Sequence, residues 1–413
     1  MTTSELVRRP PEQVYVWIWL PDAVEPVVCG RLDAGSPTVF TYARSYRQRA
    51  DAVAVFDPEL PLTGPPPLRP LDGNGLPLCI DDAMPDSWGR RLVNHQLGAG
   101  FAELSDLTYL IASGSDRFGA LDFQASSVGY VAREAEPATL DDLTDAARCI
   151  EDGIPLHPRL AQALLHGTSI GGARPKALLH DAGRSLIAKF ASTSDTYPVV
   201  QGEFVAMSLA RRCGLDTARV SLVQAHKRHV LLVERFDRPG ANRRVRAVSA
   251  LTVLGLNAYP SGRYATYWAL ADEIRNTFVQ PDLTLRELFG RIAFNIVCGN
   301  TDDHGRNHAA LLGESGLHLS PAYDICPQAR SGGEANQAMA YGREGQRAAN
   351  IASLVASADV YHLDSATARE IIDAQLQVVR DAWDEVCDEA QLTRQDRSAF
   401  FGGQFLNPTI FES

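Results

Sequence analysis

The segment GNTDDHGRN, residues 299–307, places two carboxylates, a histidine and two amides within nine positions, directly after an apolar segment with helical spacing. Asp302 and Asn307 have the Asp-x-x-x-x-Asn spacing that also occurs in the catalytic loop of protein kinases. In phosphoryl transfer a carboxylate orients and deprotonates the attacking hydroxyl group, and an amide a few residues later binds Mg²⁺. The pattern therefore indicates phosphoryl-transfer chemistry, although the spacing alone occurs in many loops.

A further aspartate strengthens this interpretation. The segment SPAYDICP places Asp324 seventeen residues after Asn307, and a predicted hairpin over 308–320 lies between them. A catalytic loop, a short hairpin and a second metal-binding aspartate follow one another in this order in kinase-like folds. The alternative is that Asp302, Asp303 and Asn307 only cap the ends of helices, as such residues often do.

Lysine is scarce, because only Lys176, Lys189 and Lys227 occur among 39 basic residues. Genome composition explains a preference for arginine, but a lysine that is kept in such a chain can mark a position that needs a compact ammonium group. Lys189 lies in the apolar segment LIAKF, where an unpaired charge is costly, and Glu203 in the next predicted helix is a suitable partner. Such a pair positions nucleotide phosphates in kinases; the alternative is an edge lysine whose ammonium group reaches water.

Two more segments fit a nucleotide site. The glycines of SIGGARPK, residues 169–176, permit close approach of the backbone to phosphate, and the backbone amides can form an anion nest. The segment matches neither GxxxxGK[ST] nor GxGxxG, so a simple glycine turn is the alternative. VERFDR, residues 233–238, lies where an α+β region passes into a helical region, which is the position of the adenine-binding hinge in a two-lobed kinase. On its own it is a strand end followed by solvated charges.

Composition narrows the protein class. The 413 residues carry a formal charge of −11, which argues against a protein that coats nucleic acid. No apolar run approaches the ~20 residues of a membrane span, and the N-terminus lacks the apolar region of a signal peptide. Seven dispersed cysteines without a CxxC pair predict free thiols in a reducing cytoplasm.

Local patterns predict further elements. Residues 14–20 and 52–56 are strand-like, and a helix begins after Pro85. Residues 199–215 have helical spacing that stops at Gly214.

From about residue 250 the pattern is helical. Thr284 and Glu287 form a capping-box pattern, and Gly299 ends the helix that follows. Its apolar stripe consists of Leu285, Leu288, Phe289, Ile292, Ala293, Ile296 and Val297. A long amphipathic helix is predicted over about 365–388.

These elements predict an α+β protein in three parts. Residues 1–125 form an N-terminal α/β module, residues 126–238 a kinase N-lobe, and residues 239–413 a mainly helical C-lobe. The expected architecture is a two-lobed protein-kinase-like fold.

The order of the segments resembles the HipA family of serine/threonine kinases, which act as toxins of type II toxin–antitoxin modules. SIGGARPKALL, LIAKF, QGEFVAMSLARRCGL, VERFDR, GNTDDHGRNHAALL and LSPAYDICP look like successive family motifs, and MPDSWGRRL and SDRFGALDF are similar to its N-terminal module. The resemblance extends from about residue 14 to 390.

The resemblance implies a role for each matching residue. Asp302 is the expected catalytic base, and Asn307 and Asp324 are the expected Mg²⁺ ligands. Asp303 is adjacent to Asp302, and the spacing to Asn307 favours Asp302. The residues expected around ATP are Gly171, Gly172, Ala173, Arg174, Pro175, Lys176, Lys189, Glu234, Phe236, Asp237, His304, Asn307, Tyr323 and Asp324. Ser169 matches the serine that family members autophosphorylate, and a dianion there is expected to displace the glycine-rich loop.

The function that the resemblance implies is an ATP- and Mg²⁺-dependent, growth-arresting kinase of a translation component such as an aminoacyl-tRNA synthetase. A helix-turn-helix antitoxin similar to HipB is the expected partner, and operator DNA is expected to be bound mainly through that antitoxin. One alternative is a kinase of the same fold with a non-toxic protein or small-molecule substrate. Another is a catalytically silent regulatory subunit of a DNA-binding complex.

Overall fold

The computed structural model describes residues 9–99, 104–133, 138–152, 154, 160, 164, 174–240, 242–258, 261–329 and 335–412. The chain divides into two units. The first unit comprises Met1–Thr193, Gln224–Arg228 and Glu234–Val248, and the second comprises Ser194–Val223, His229–Val233 and Ser249–Ser413. The boundaries predicted at 125 and 238 stay predictions.

An antiparallel sheet with the strand order β3-β2-β1-β4 forms the N-terminal part of the first unit. Its strands are β1 (Gln13–Ile18), β2 (Val27–Asp33), β3 (Val39–Tyr42) and β4 (Leu121–Gln124). Alternate side chains of β1, those of Val14, Val16 and Ile18, are fully buried, as a strand with one face on a core requires. The strand predicted over 14–20 is confirmed.

The first unit also contains helices. They are α1 (Arg44–Arg47), α2 (Leu78–Asp81), α3 (Ser87–Leu97), α4 (Asp106–Ala112) and α5 (Leu140–Glu151). The helix predicted after Pro85 is α3, and its N-cap is Asp86, whose Oδ1 accepts a hydrogen bond from the Gly89 amide at 2.7 Å. Helix α4 packs on β1 and β4.

The strand predicted over 52–56 is wrong. Val55 is buried, as the apolar pattern indicates, but distant side chains bind the backbone groups that a sheet would need. The Val55 amide donates to the Tyr42 hydroxyl at 2.9 Å, and Arg246 Nη1 donates to the Ala54 carbonyl oxygen at 2.9 Å. These contacts come from residues that local β-propensity does not include.

Two tight hairpins follow along the chain. In the first, β5 (Lys176–Asp181) pairs with β6 (Arg184–Phe190), and both turn residues, Ala182 and Gly183, have positive φ, as a type I′ turn requires. In the second, β7 (Val220–Ala225) and β8 (Arg228–Glu234) are neighbours, and His226 and Lys227 have positive φ. Lys227 is therefore an exposed turn residue.

The second unit is mainly helical. Its helices are α6 (Val199–Arg212), α7 (Ala250–Val253), α8 (Tyr267–Thr277), α9 (Pro281–Cys298), α10 (Ile351–Ala356), α11 (Ser365–Glu389) and α12 (Arg394–Phe400). The short strand β9 (Ala247–Ser249) precedes α7, and β10 (Ala309–Leu312) and β11 (Leu317–Leu319) form the predicted hairpin. Helix α6 ends one residue before its C-cap Cys213, so the predicted stop near Gly214 is confirmed.

Helix α9 is the centre of the second unit, and every member of its predicted apolar stripe is at most 1% exposed. The predicted capping box is wrong, because α9 begins at Pro281 and Thr284 lies inside it. The Thr284 hydroxyl donates to the Gln280 carbonyl oxygen at 2.8 Å. Glu287 accepts a hydrogen bond from Arg291 Nε at 2.8 Å. Proline at the first helical position was the correct start signal.

All seven cysteines are free thiols, as their dispersed positions predicted. Among the residues that the structure describes, none of the helices combines the length and the apolar content that a membrane span requires.

A substitution at Gly299, at the end of α9, tests how tightly this helix end is packed. It has a φ of +73°, and an added Cβ would lie 2.7 Å from the Gln404 carbonyl oxygen. We expect Gly299→Ala to lower the free energy of unfolding by about 3 kcal/mol, from left-handed strain plus overpacking. Chemical denaturation measures this change.

Gly214→Ala is the matched control, because Gly214 also follows a helix, has a φ of +84°, and has no atom within 4 Å of an added Cβ. It should cost only about 1 kcal/mol, from the left-handed backbone alone. Equal losses in the two variants would show that Gln404 does not press on the helix end.

Candidate active site

The loop after α9 is held by one buried carboxylate, that of Asp303, which is 3% exposed. Its Oδ2 accepts hydrogen bonds from Asn295 Nδ2 at 2.7 Å, from His308 Nε2 at 2.8 Å and from the Tyr267 hydroxyl. Burial acts to raise the pKa of Asp303, but its interactions with His308 and Tyr267 hold the pKa below its ordinary value. Asp303 is therefore a charged anchor inside the fold.

Asn295 extends this network along the helix. Its Oδ1 accepts from Asn300 Nδ2 at 3.0 Å, and the Asn300 amide donates to the Asn295 carbonyl oxygen at 2.9 Å. Both asparagines are buried. The end of α9 and the start of the loop are thus joined by side-chain as well as backbone hydrogen bonds, which fix the direction in which the loop leaves the helix.

Asp302, next to the anchor, has the opposite environment. Its side chain is exposed, while Asp303 beside it is buried. Partial burial of the carboxyl group raises the pKa of Asp302, the carboxylates of Asp324 and Asp303 raise it further, and His304 opposes them. Of the two adjacent aspartates, only Asp302 presents a carboxylate to solvent, and a raised pKa makes a carboxylate a better proton acceptor.

A 3-10 turn, Gly305–Asn307, follows Asp302 and brings Asn307 inward. His304 caps the turn and is exposed, whereas Asn307 is 8% exposed. At Gly305 an added Cβ would lie 2.6 Å from Leu251 Cδ2, so the turn sits directly on helix α7. This close packing fixes the position of the turn, and with it Asn307, relative to helix α7.

The loop that carries Asp324 is tied to the same turn. The Tyr323 hydroxyl donates to the Arg306 carbonyl oxygen at 2.7 Å. Asp324 itself has a φ of +61°, a left-handed conformation that is costly for a residue with a side chain and that is common at functional sites. The charge of the Asp324 carboxylate acts to raise the pKa of Asp302.

The predicted magnesium ligands fit the chemistry of that ion. Asn307 offers an amide oxygen and Asp324 a carboxylate oxygen, which are hard donors. The described residues contain no group of three or more histidine, cysteine, aspartate or glutamate side chains that could hold a metal. A set with few protein ligands suits Mg²⁺, which is usually bound by one or two carboxylates together with water and substrate phosphates.

In the first unit the two predicted phosphate-binding lysines stand opposite each other. Lys176 and Lys189 are partners in the β5–β6 register, so their side chains lie on the same face of the hairpin. Lys176 is 3% exposed, and its ammonium group forms an ion pair with Asp86 Oδ2. Asp86 therefore binds the N-terminus of α3 with one oxygen and neutralises Lys176 with the other.

The predicted hinge segment has mixed surroundings. Glu234 and Phe236 are partly exposed, and the Phe236 ring packs edge-on against Phe118 with ring centroids 6.4 Å apart. Asp237 is only 3% exposed, and both of its carboxylate oxygens accept hydrogen bonds from Arg235. This favours a structural role for Asp237 over the expected contact with ATP, which stays a prediction.

Several expected residues are not placed at one site. Ser169, Gly171, Gly172 and Ala173 lie outside the described residues. Arg174 is exposed and Pro175 is buried at the start of β5. Glu203 is buried in α6 of the second unit while Lys189 belongs to the first, and their ion pair stays a prediction. In the second unit Asp302, His304, Asn307, Tyr323 and Asp324 lie on two linked loops.

Comparisons with known proteins agree with these two motif-bearing regions. A family model described as HipA-like C-terminal domain matches residues 168–383, which is more than half of the chain, and one described as HipA N-terminal domain matches residues 25–124. The chain belongs to the HipA family. The matched ranges include Asp302, Asn307 and Asp324 as well as strands β2, β3 and β4 of the N-terminal sheet.

Two curated relatives support this assignment. The chain is 26% identical over 300 residues to a protein of Shewanella oneidensis named serine/threonine-protein kinase toxin HipA, a match that covers 63% of this chain and 65% of that one. It is 29% identical over 260 residues to the putative kinase Y4mE of Sinorhizobium fredii, which covers 57% and 60% respectively. The chain spans slightly less than two thirds of the length of these relatives.

A solved structure of the HipA family shows the fold. The chain matches the HipA of Shewanella oneidensis, solved as a HipA, HipB and operator DNA complex, with a TM-score of 0.70, 20% identity and 96% of each chain covered. The expected two-lobed α+β fold is confirmed.

The sequence analysis did not identify the residues that hold Asp303 and Lys176 in place. Asn295 and Tyr267 bind Asp303 from α9 and α8, and Asp86 binds Lys176 from 90 positions away. One sign was available for Asn295, which is a polar residue inside the otherwise apolar run IAFNIVC. A buried amide in such a helix needs a polar partner.

The two adjacent aspartates give a sharp stability test. Asp303→Asn removes a buried charge that three donors bind, so the free energy of unfolding should fall by about 2–4 kcal/mol. Asp302→Asn removes an exposed carboxylate whose ionisation its surroundings disfavour, so the change should stay within about 0.5 kcal/mol. Denaturant unfolding of both variants at neutral pH measures the difference.

The pH dependence supplies the control. Because the pKa of Asp303 is lowered in the folded protein, its contribution is present above the unfolded value of 3.8 and is lost as the pH falls through the folded value. The difference in the free energy of unfolding between wild type and Asp303→Asn should therefore become smaller as the pH falls through the folded pKa of Asp303. Similar losses of unfolding free energy in Asp302→Asn and Asp303→Asn would contradict the conclusion that only Asp303 anchors the loop.

Asp86→Asn isolates the charge of the Lys176 pair. Asparagine caps a helix about as well as aspartate does, so α3 keeps its N-cap while buried Lys176 loses the Asp86 charge. We expect a loss of about 3 kcal/mol in the free energy of unfolding. Lys176→Met added to Asp86→Asn should recover most of this loss, and a double variant as unstable as the single one would argue against the ion pair.

Proposed function

We propose that this chain is an ATP- and Mg²⁺-dependent serine/threonine protein kinase. The observation that carries the proposal is the difference between Asp303, which is buried and hydrogen-bonded, and Asp302, which is exposed on a loop that the Tyr323 hydroxyl links to the segment carrying Asp324. Kinase chemistry needs one carboxylate that faces the substrate and a rigid loop that holds it. The names of both curated relatives, a kinase toxin and a putative kinase, support the same activity.

In this proposal each side chain has a defined task. Asp302 accepts the proton of the substrate hydroxyl group while the hydroxyl oxygen attacks the γ-phosphorus, and ADP leaves. Lys189 neutralises phosphate charge, and the backbone at Glu234 and Phe236 contacts adenine. Asn307 and Asp324 would hold a divalent metal, which would neutralise the phosphate charge that develops during transfer.

The tight packing of the loop that carries Asp302 supports the proposed role of Asp302 as proton acceptor. A buried anchor at Asp303 and the contact of Gly305 with Leu251 leave the loop little freedom. Phosphoryl transfer depends mainly on positioning and on electrostatic stabilisation, because the protein forms no covalent bond to the phosphoryl group. A loop fixed on both sides of Asp302 meets that requirement before substrate binds.

The biological setting follows from the family. We propose that the kinase is the growth-arresting toxin of a toxin–antitoxin pair, with a translation component such as an aminoacyl-tRNA synthetase as substrate. A helix-turn-helix antitoxin similar to HipB is the proposed partner, with operator DNA bound mainly by that antitoxin. The solved relative, a complex of HipA, HipB and operator DNA, supports the partner class. Autophosphorylation at Ser169 is the proposed off switch.

Transfer of the γ-phosphate tests the enzymatic proposal directly. With labelled ATP and Mg²⁺, wild type should phosphorylate itself and a protein in a cell lysate, and Ser169→Ala should lose its own label. Asp302→Asn should lower kcat by about 10²–10⁴-fold, because the general base is lost, while ATP affinity changes little. Calorimetry measures the affinity separately.

Glu314→Gln is the control, since Glu314 is an exposed acid on the β10–β11 hairpin. It should behave as wild type in both assays. Wild type that binds ATP but labels neither itself nor any lysate protein would favour the silent regulatory subunit. Induced expression that slows growth equally with wild type and Asp302→Asn would count against a kinase toxin.

A further inference from the structure

The segment after β8, residues 235–246, is rich in arginines that bind the N-terminal module. Asp116 Oδ1 accepts three hydrogen bonds from this segment. The donors are Arg235 Nη1 at 2.9 Å, Arg238 Nε at 2.9 Å and Arg238 Nη2 at 2.7 Å. Asp116 lies 119 and 122 positions from these arginines, so the contact joins remote parts of the first unit.

Backbone groups next to Asp116 complete the attachment. The Arg117 carbonyl oxygen accepts from Arg235 Nη2 at 2.6 Å, and the Gly119 carbonyl oxygen accepts from Arg238 Nη1 at 2.9 Å. In return the Gly119 amide donates to Asp237 Oδ2 at 2.8 Å. Residues 116–119 thus bind three of the four residues that follow Glu234.

Two more arginines continue the same attachment. Arg244 Nη1 donates to the Ser115 carbonyl oxygen at 2.8 Å, and its guanidinium lies 3.4 Å from the centroid of the Trp19 ring. Arg246 Nη1 donates to the Ala54 carbonyl oxygen. The segment is therefore fixed to the N-terminal module at both of its ends.

The attachment is buried and charged. The side chains of Arg235, Asp237 and Arg238 are 2%, 4% and 6% exposed. Burial disfavours the charged forms, but Asp116 and Asp237 hold the pKa of Arg235 above its ordinary value, and Arg235 and Arg238 hold the pKa of Asp116 below its own. Removing one member of such a network leaves the others without compensation.

The attached residues flank those proposed to contact adenine. Glu234 and Phe236 alternate with Arg235 and Asp237 along the chain, and the Phe236 ring packs against Phe118 of the same 116–119 turn. The Arg235 amide also donates to the Ser185 carbonyl oxygen of β6 at 2.9 Å. The position of the 234–236 backbone is thus set jointly by β6 and by the N-terminal module.

We propose that Asp116 is a positioning residue for nucleotide binding, and that the N-terminal module is a working part of the ATP site. This inference rests on the proposed kinase function. Asp116 touches no substrate in this account; it acts by keeping the adenine-contacting backbone in one arrangement. Without it the segment samples other arrangements, and ATP must restore order when it binds.

Asp116→Asn in the full-length protein tests the proposal. We expect the KM for ATP to rise about tenfold or more while kcat stays within about twofold, because a misplaced binding segment weakens affinity without changing the reacting groups. Calorimetry with ATP should show the same loss of affinity. Hydrogen exchange without nucleotide should show faster exchange of the backbone amides over 234–238, and Asp116→Glu should restore part of the affinity.

Asp51→Asn is the matched control, because Asp51 is an exposed carboxylate of the same module that pairs with Arg49. It should leave KM, kcat and exchange unchanged. A folded Asp116→Asn protein with wild-type KM for ATP overturns the inference, and so does a loss of kcat alone.

If Asp116→Asn does not fold, Phe118→Leu provides the test, since it keeps an apolar side chain and removes the ring contact with Phe236. A two- to threefold rise in the KM for ATP, about 0.5 kcal/mol, supports the proposal, and unchanged KM and exchange overturn it. If wild type does not bind ATP, the proposed function itself is wrong. If wild type binds ATP and the variants keep the wild-type KM for ATP, only the positioning role of Asp116 is wrong.

Discussion

A single carboxylate oxygen, Asp303 Oδ2, organises the candidate active site by accepting hydrogen bonds from helix α8, helix α9 and residue His308. A buried charge of this kind is stable only while its donors stay in place. The Asn295–Asn300 hydrogen bonds hold the loop before Asp302 and the contacts of Asp303 hold it after, so the loop between α9 and β10 is fixed on both sides of Asp302. The same constraint gives two adjacent aspartates opposite roles, since the fold binds one of them and leaves the other facing solvent.

The first unit uses the same physical device at two places. Asp86 neutralises buried Lys176 beside the predicted phosphate-binding strand, and Asp116 binds the arginines that follow the predicted hinge. Both aspartates belong to the N-terminal module, yet both bind residues of the region proposed to hold ATP. We propose that the module keeps the nucleotide-binding elements of the first unit in position.

Sequence patterns predicted what depends on near neighbours. The buried stripe of α9, its end at Gly299 and the hairpin between Asn307 and Asp324 all follow from local spacing, and the structure confirms them. The strand at 52–56 was wrongly predicted and the contacts of Asn295 and Asp116 were not predicted, and both failures have one cause. Their partners lie far away in the sequence, so no local pattern shows which buried polar groups are satisfied and by whom.

A crystal structure with a non-hydrolysable ATP analogue and Mn²⁺ would show whether Asn307 and Asp324 hold a metal while Asp303 holds the loop. Anomalous scattering locates the metal independently of any assumed coordination. We expect a manganese peak within about 2.5 Å of side-chain oxygens of both Asn307 and Asp324. Asp303 should still accept hydrogen bonds from Tyr267, Asn295 and His308. A peak coordinated by Asp303, or one remote from Asn307 and Asp324, would contradict this expectation.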